Sequence, residues 1–180
     1  MVNFEEKLQT CCSDLYKFYR LFVTSRYDDN LPAPHIRVLS KELMKLYKTN
    51  PYRLCVAMPP RHSKSSLVTI AYPLWLIFQK PNLNILIVNN EGSLSEKFGI
   101  QIREYIRRYG AYFNVYLSET KHSSTHIMFC NQEGEDYTGS IRLTGANGSI
   151  TGQDADYLII DDPYKGFDDI TPTLLRKKID

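Results

Sequence analysis

Met58-Pro59-Pro60-Arg61-His62-Ser63-Lys64-Ser65-Ser66 joins two segments of different periodicity. Upstream, Arg53-Leu54-Cys55-Val56-Ala57 reads as a short buried strand, and downstream Ser65 to Phe78 carries apolar residues at helical spacing. A strand end feeding a helix start suits a phosphate, because the first helical turn presents backbone N–H groups without intrahelical acceptors and a partial positive charge. Lys64 followed by Ser65 has the lysine-hydroxyl order of a nucleotide-phosphate loop, in which the lysine meets the outer phosphates and the hydroxyl ligates Mg²⁺. Against the pattern G-x-x-x-x-G-K-[ST], Met58 stands at the first glycine and Ser63 at the second. On this reading Pro60, Arg61, His62, Ser63, Lys64, Ser65 and Ser66 bind the nucleotide. Alone, a loop of this kind is more often an ordinary surface connection with a basic side chain.

A second stretch favours the nucleotide. Tyr157-Leu158-Ile159-Ile160-Asp161-Asp162-Pro163 is an apolar strand ending in adjacent carboxylates and a proline that stops it. In a parallel sheet such a strand end lies beside the phosphate loop, where Asp161 holds the Mg²⁺ water shell and Asp162 handles the attacking water. Two close like charges are costly to desolvate, so a buried strand ending this way points to a cation. The plainer alternative is a strand running out into a solvated acidic turn. The correct order of both stretches in one chain decides for the nucleotide.

The bulk numbers fit one α/β domain. A 180-residue chain buries roughly 70% of its extended-chain surface, enough for a core. Hydrophobic content of 43% and charged content of 23% are ordinary for a globular protein, and no apolar run approaches the roughly 20 residues of a membrane span. The N-terminus lacks the basic and apolar segments of a secretion signal, which gives an intracellular expectation. A net charge of +2 does not choose a partner, since a local patch can carry a nucleic-acid contact. Cys11, Cys12, Cys55 and Cys130 form no C-x-x-C pair and read as reduced thiols. His122, His126 and Cys130 share a spacing of four, but no fourth ligand is in sight to complete a zinc site.

Periodicity predicts an amphipathic helix over Phe4 to Val23, a turn-rich break at Tyr27 to Pro34, and a second helix over His35 to Tyr47. Residues 1–50 are thus a helical lead-in to a nucleotide-binding core at 51–180. Beyond the loop helix, Leu83 to Asn89 reads as a buried strand and Asn90 to Tyr109 as a helix starting near Ser93. This alternation predicts a mainly parallel sheet in three layers. Ser124 to Cys130 and Tyr137 to Leu143 look like a hairpin beside that sheet, and Gly145 to Gly152 like a loop leading to the final strand. Arg103, Arg107 and Arg108 read as the wet face of their helix.

The chain resembles the large subunit of a tailed-virus terminase, specifically its N-terminal ATPase domain. The resemblance rests on Pro32-Ala33-Pro34-His35, the Met58 to Ser65 loop, Gly148-Ser149-Ile150-Thr151-Gly152, and Ile159-Ile160-Asp161-Asp162-Pro163 with Lys165 after it. It implies an additional-strand, RecA-like P-loop NTPase with N-terminal helices packed on it. It implies a motor that hydrolyses ATP with Mg²⁺ to drive double-stranded DNA into a procapsid. The implied partners are the portal protein, the terminase small subunit and further copies in a ring, in the host cell cytoplasm and without membrane. By the same resemblance Lys64 is the phosphate-loop lysine, Ser65 the Mg²⁺ hydroxyl, Asp161 the metal-side carboxylate, Asp162 the water-handling carboxylate and Arg61 the arginine near the outer phosphate.

Three positions depart from the family pattern. Ser63 replaces the glycine usual before the lysine, Gln153 stands where many relatives carry arginine, and Asp162 is shorter than the glutamate of many ATPases. Family members also continue into a coupling strand and a nuclease domain, so the chain is expected to be a truncated ATPase domain, with Thr171 to Ile179 starting a helix. The alternatives are a RecA-like helicase or translocase ATPase and a non-catalytic nucleotide-binding fragment.

Overall fold

The computed structural model describes residues 4–24, 34–49, 53–146, 148 and 154–163. The N-terminal helix breaks at Asp14 into α1 (Phe4–Ser13) and α2 (Leu15–Phe18), which continues as a π turn over Tyr19–Val23. The break has a local cause: the Asp14 carboxylate accepts the Lys17 backbone N–H at 3.1 Å and so starts a new helix. Helix α3 spans Pro34–Lys48 and buries Ile36, Leu39 and Leu43, as its spacing predicts.

After the loop, the helix begins at Lys64, runs as a π segment over Ser66–Ala71, and becomes α4 (Tyr72–Gln79). Every residue from Tyr72 to Phe78 is buried, so α4 is apolar all round and lies inside the molecule. Each buried Leu, Ile or Phe contributes about 1.5–3 kcal/mol, enough for α4 to fix the position of the loop at its head. The loop's geometry is therefore set by the core.

The sheet has five strands in the order β2-β3-β4-β1-β5. They are β1 (Asn84–Asn89), β2 (Tyr116–His122), β3 (His126–Cys130), β4 (Asp136–Gly145) and β5 (Tyr157–Asp161), with α5 (Gly92–Tyr109) following β1. Strand β1 is central and pairs in parallel with both β4 and β5, which explains its continuous Ile85-Leu86-Ile87-Val88 run buried on both faces. Helix α5 packs against β4, β1 and β2 and approaches the turn between β2 and β3 closely. A Cβ on Gly99 would fall 1.6 Å from the Ser124 carbonyl oxygen, so only glycine fits there.

The architecture differs from expectation at four places. Arg53–Ala57 forms no strand; Leu54 and Val56 are half-buried while Arg53, Cys55 and Ala57 are exposed. The hairpin does not lie beside the sheet: its second strand, β4, is the parallel neighbour of β1, and the sheet is mixed. Strand β2 was not predicted, because Tyr116-Leu117-Ser118-Glu119 alternates too weakly to stand out from a loop. Strand β5 is buried on one face only, with Leu158 and Ile160 each 57% exposed. The expected helix at Thr171 to Ile179, and Lys165 and Gln153, lie outside the described residues.

Candidate functional site

The loop from Pro59 to Lys64 turns sharply without a glycine. Arg61 has φ 62° and Ser63 φ 63°, while His62 and Lys64 between and after them do not have positive φ. Alternating φ signs turn successive N–H groups toward one concave side, the backbone arrangement called a nest, which binds anions. Left-handed conformation costs an L-residue about 1–2 kcal/mol, so the loop holds strain at two adjacent turns. The surrounding contacts hold it there. The Ser63 hydroxyl meets the Tyr19 phenol, His62 Nδ1 lies 2.8 Å from the Pro60 carbonyl, and the His35 ring meets the His62 ring edge-on at 5.8 Å. Burial pushes the Tyr19 phenol above its ordinary pKa, and the Ser63 contact partly offsets this.

Helix and strand then bring two distant charges together. Lys64 Nζ lies 3.3 Å from Asp161 Oδ1, and the carboxylate is 4% exposed. Thr69, buried one turn beyond Lys64, donates its hydroxyl to Asp161 Oδ2 at 2.7 Å. Asp161 closes the β5 ladder opposite Asn89, the last residue of β1. The buried Asn89 amide donates to the Asp161 carbonyl at 3.3 Å and accepts from the Ser95 hydroxyl at 3.2 Å, which ties the strand tip to the first turn of α5. Both oxygens of the carboxylate thus have a partner, as a buried charge requires.

The remaining expected site residues divide. Ser65 and Ser66 stand in the first helical turn, half-buried beside Lys64. Pro60, Arg61 and His62 are exposed on the loop. Asp162 leaves the strand in left-handed conformation, φ 52°, and is exposed, so the two adjacent acids occupy different environments. Sequence reasoning missed Thr69, Asn89 and Ser95. Thr69 had a signal, as a hydroxyl in the otherwise apolar run Leu67 to Ala71, whereas the pairing of Asn89 with Asp161 is decided by sheet register alone.

Asp161 and Thr69 offer oxygen of the kind a hard divalent cation takes, and the loop backbone with Lys64 is of the kind that takes phosphate. Elsewhere, a recess of about 720 Å³ between α5 and the β2–β3 hairpin is lined by Arg103, Arg107, Glu119 and Asp136. It lies apart from Lys64, and Arg103 there donates to the Ser123 carbonyl at 3.1 Å rather than standing only on a wet face. No helix among the described residues is long and apolar enough to cross a membrane. No protein-family model matches the chain, and no curated protein matches it in sequence, so the reading of this site rests on its own residues.

Proposed function

We propose that the chain is the Mg²⁺-dependent ATPase domain of a terminase-type motor that drives double-stranded DNA into a procapsid. The observation that carries the nucleotide reading is the 3.3 Å approach of Lys64 to Asp161 across the head of a helix that follows a nest-shaped loop. On this reading the backbone N–H groups of residues 61–66 and the Lys64 ammonium bind and orient the triphosphate. Asp161 and Ser65 would hold Mg²⁺, which would supply charge neutralisation on the transferred phosphoryl group. Arg61 balances charge on the outer phosphate. Asp162 orients the water whose oxygen bonds to the terminal phosphorus as the bond to the bridging oxygen breaks and ADP leaves. The finer assignment to a RecA-like P-loop fold belongs to the same proposal. So do its partners, which are the portal, the small subunit and further copies of the chain in a ring in the host cytoplasm.

A second reading, a domain that binds nucleotide without turning it over, has one observation in its favour. Both Asp161 oxygens are already engaged by Lys64 and Thr69, and Asp162 faces solvent. A RecA-like helicase or translocase would share the site and differ only in its partners. The test is to measure MgATP binding by fluorescence of a labelled analogue and phosphate release on the same chain. Binding with release that both disappear in Lys64→Ala supports the ATPase; binding without release leaves the second reading. Absence of any MgATP binding by the wild-type chain overturns both.

A further inference from the structure

The nucleotide reading leaves the outer face of α3 without a role, and its charge is unusual. Helix α3 carries Arg37, Lys41, Lys45 and Lys48 against one acid, Glu42, a net +3 in 15 residues where the whole chain has +2. The four basic residues are exposed. At about 100° per residue they fall within an arc of about 80°, and at 1.5 Å rise they form a ridge about 16 Å long. Glu42 lies about 60° outside that arc and reaches Lys45 at 2.7 Å. A merely solvated face intersperses acids with bases, as α5 does with Glu96, Lys97, Arg103 and Glu104. The α3 ridge does not.

Two of its features are preorganised. The Arg37 guanidinium lies 5.0 Å from the centre of the Tyr16 ring, with Arg20 5.9 Å from the same ring, so stacking holds positive charge in place. The N-terminal end of the ridge begins beside His35, which touches His62 of the phosphate loop, so the ridge runs away from the nucleotide site along one continuous element.

We propose that this ridge is a contact for the sugar-phosphate backbone of duplex DNA. A straight row of cations on a rigid helix complements a duplex, which carries one phosphate charge per about 1.7 Å of its axis. Such contacts set position and affinity and read no bases. The choice of duplex DNA as the partner rests on the motor reading; the existence of the polyanion surface does not.

The experiment titrates the full chain, without nucleotide, into a fluorescein-labelled duplex over a range of salt, with MgATP binding measured in parallel. The expected log–log salt slope is about −3, as for three or four neutralised phosphates. The double variant Lys41→Gln/Lys48→Gln should reduce the magnitude of that slope by about two and weaken low-salt binding at least tenfold. Lys41→Arg/Lys48→Arg should keep wild-type binding, which separates lost charge from lost folding. Equal binding of duplex RNA supports a surface that reads phosphate. A wild-type slope in the glutamine variant, no duplex binding by the wild-type chain, or stronger capture by phosphatidylserine vesicles than by duplex overturns the ridge. A chain that binds duplex through the ridge but never binds MgATP retires the nucleotide reading alone.

Discussion

The Lys64 ammonium stands 3.3 Å from the Asp161 carboxylate, joining residues 97 positions apart in the chain across the head of the loop helix. The lysine side chain is 29% exposed and the carboxylate 4% exposed, so the pair is screened on one side only. Under the proposed function, a triphosphate entering the loop would compete with Asp161 for the same ammonium, and the pair, a structural link in the free chain, would be the first thing it rearranges.

Lys64→Ala leaves Asp161 buried with Thr69 as its only side-chain partner among the described residues. We expect a loss of about 1–3 kcal/mol in urea unfolding, below the 3–5 kcal/mol of a fully buried pair because Lys64 is partly solvated. Under the proposed function, phosphate release falls at least about 100-fold, since a positioned charge on the transferred group is among the largest contributions to this chemistry. Asp161→Asn should restore most of the stability of Lys64→Ala without restoring turnover. Full stability in Lys64→Ala alone would show that the pair contributes nothing.

Thr69→Val removes the hydroxyl while keeping the shape of the side chain. It leaves Asp161 Oδ2 without its 2.7 Å donor in a site closed to water, at a cost of about 1–3 kcal/mol. Thr69→Ser should recover much of that loss. Equal thermal melts for the valine and serine variants would contradict the hydrogen bond.

Arg61→Gly releases a residue held at φ 62°. The folded state gains about 1 kcal/mol from lost strain, less the greater chain entropy of glycine when unfolded, so a small rise in Tm of about 2 °C is expected. Turnover should fall at the same time if Arg61 acts on the outer phosphate. A fall in Tm of several degrees would mean that the arginine side chain, not the loop backbone, is what the structure needs.

Burial, reinforced by neighbouring Cys12 and Asp14, pushes the Cys11 thiol up to about 11. Its contribution to stability is complete below the unfolded value near 9 and is lost as pH rises toward 11, because the unfolded chain ionises first. Between pH 9 and 10 this group adds up to about 1.4 kcal/mol per pH unit to the decline in stability, and Cys11→Ala should flatten that part of the curve. Below pH 9, a thiol reagent should modify exposed Cys55 before buried Cys11. Labelling of Cys11 as fast as that of Cys55, read peptide by peptide by mass spectrometry, would overturn this order.

Much of the architecture was legible because it is local. The 3.6-residue spacing of Ile36, Leu39 and Leu43 marks α3, the unbroken Ile85 to Val88 run marks a strand buried on both faces, and Asp161-Asp162-Pro163 ends β5 where the chain order says it should. Each of these follows from which residues prefer water and which do not. The pairing of β4 with β1, the exposure of Leu158 and Ile160, and the failure of Arg53–Ala57 to join a ladder were not legible. They depend on which strands become neighbours, and an apolar run looks the same at a sheet centre and at its edge.

The candidate site divides in the same way. Residue order alone singled out Lys64 and Asp161, because a lysine-hydroxyl pair at a helix start and an acid at a strand end carry recognisable chemistry wherever they occur. Only the folded chain revealed that Thr69 and Asn89 hold Asp161, that Asp162 turns outward, and that the loop adopts left-handed turns without glycine. Those facts arise from contacts between residues far apart in sequence, and from a backbone conformation that its own residues disfavour and the surrounding core imposes.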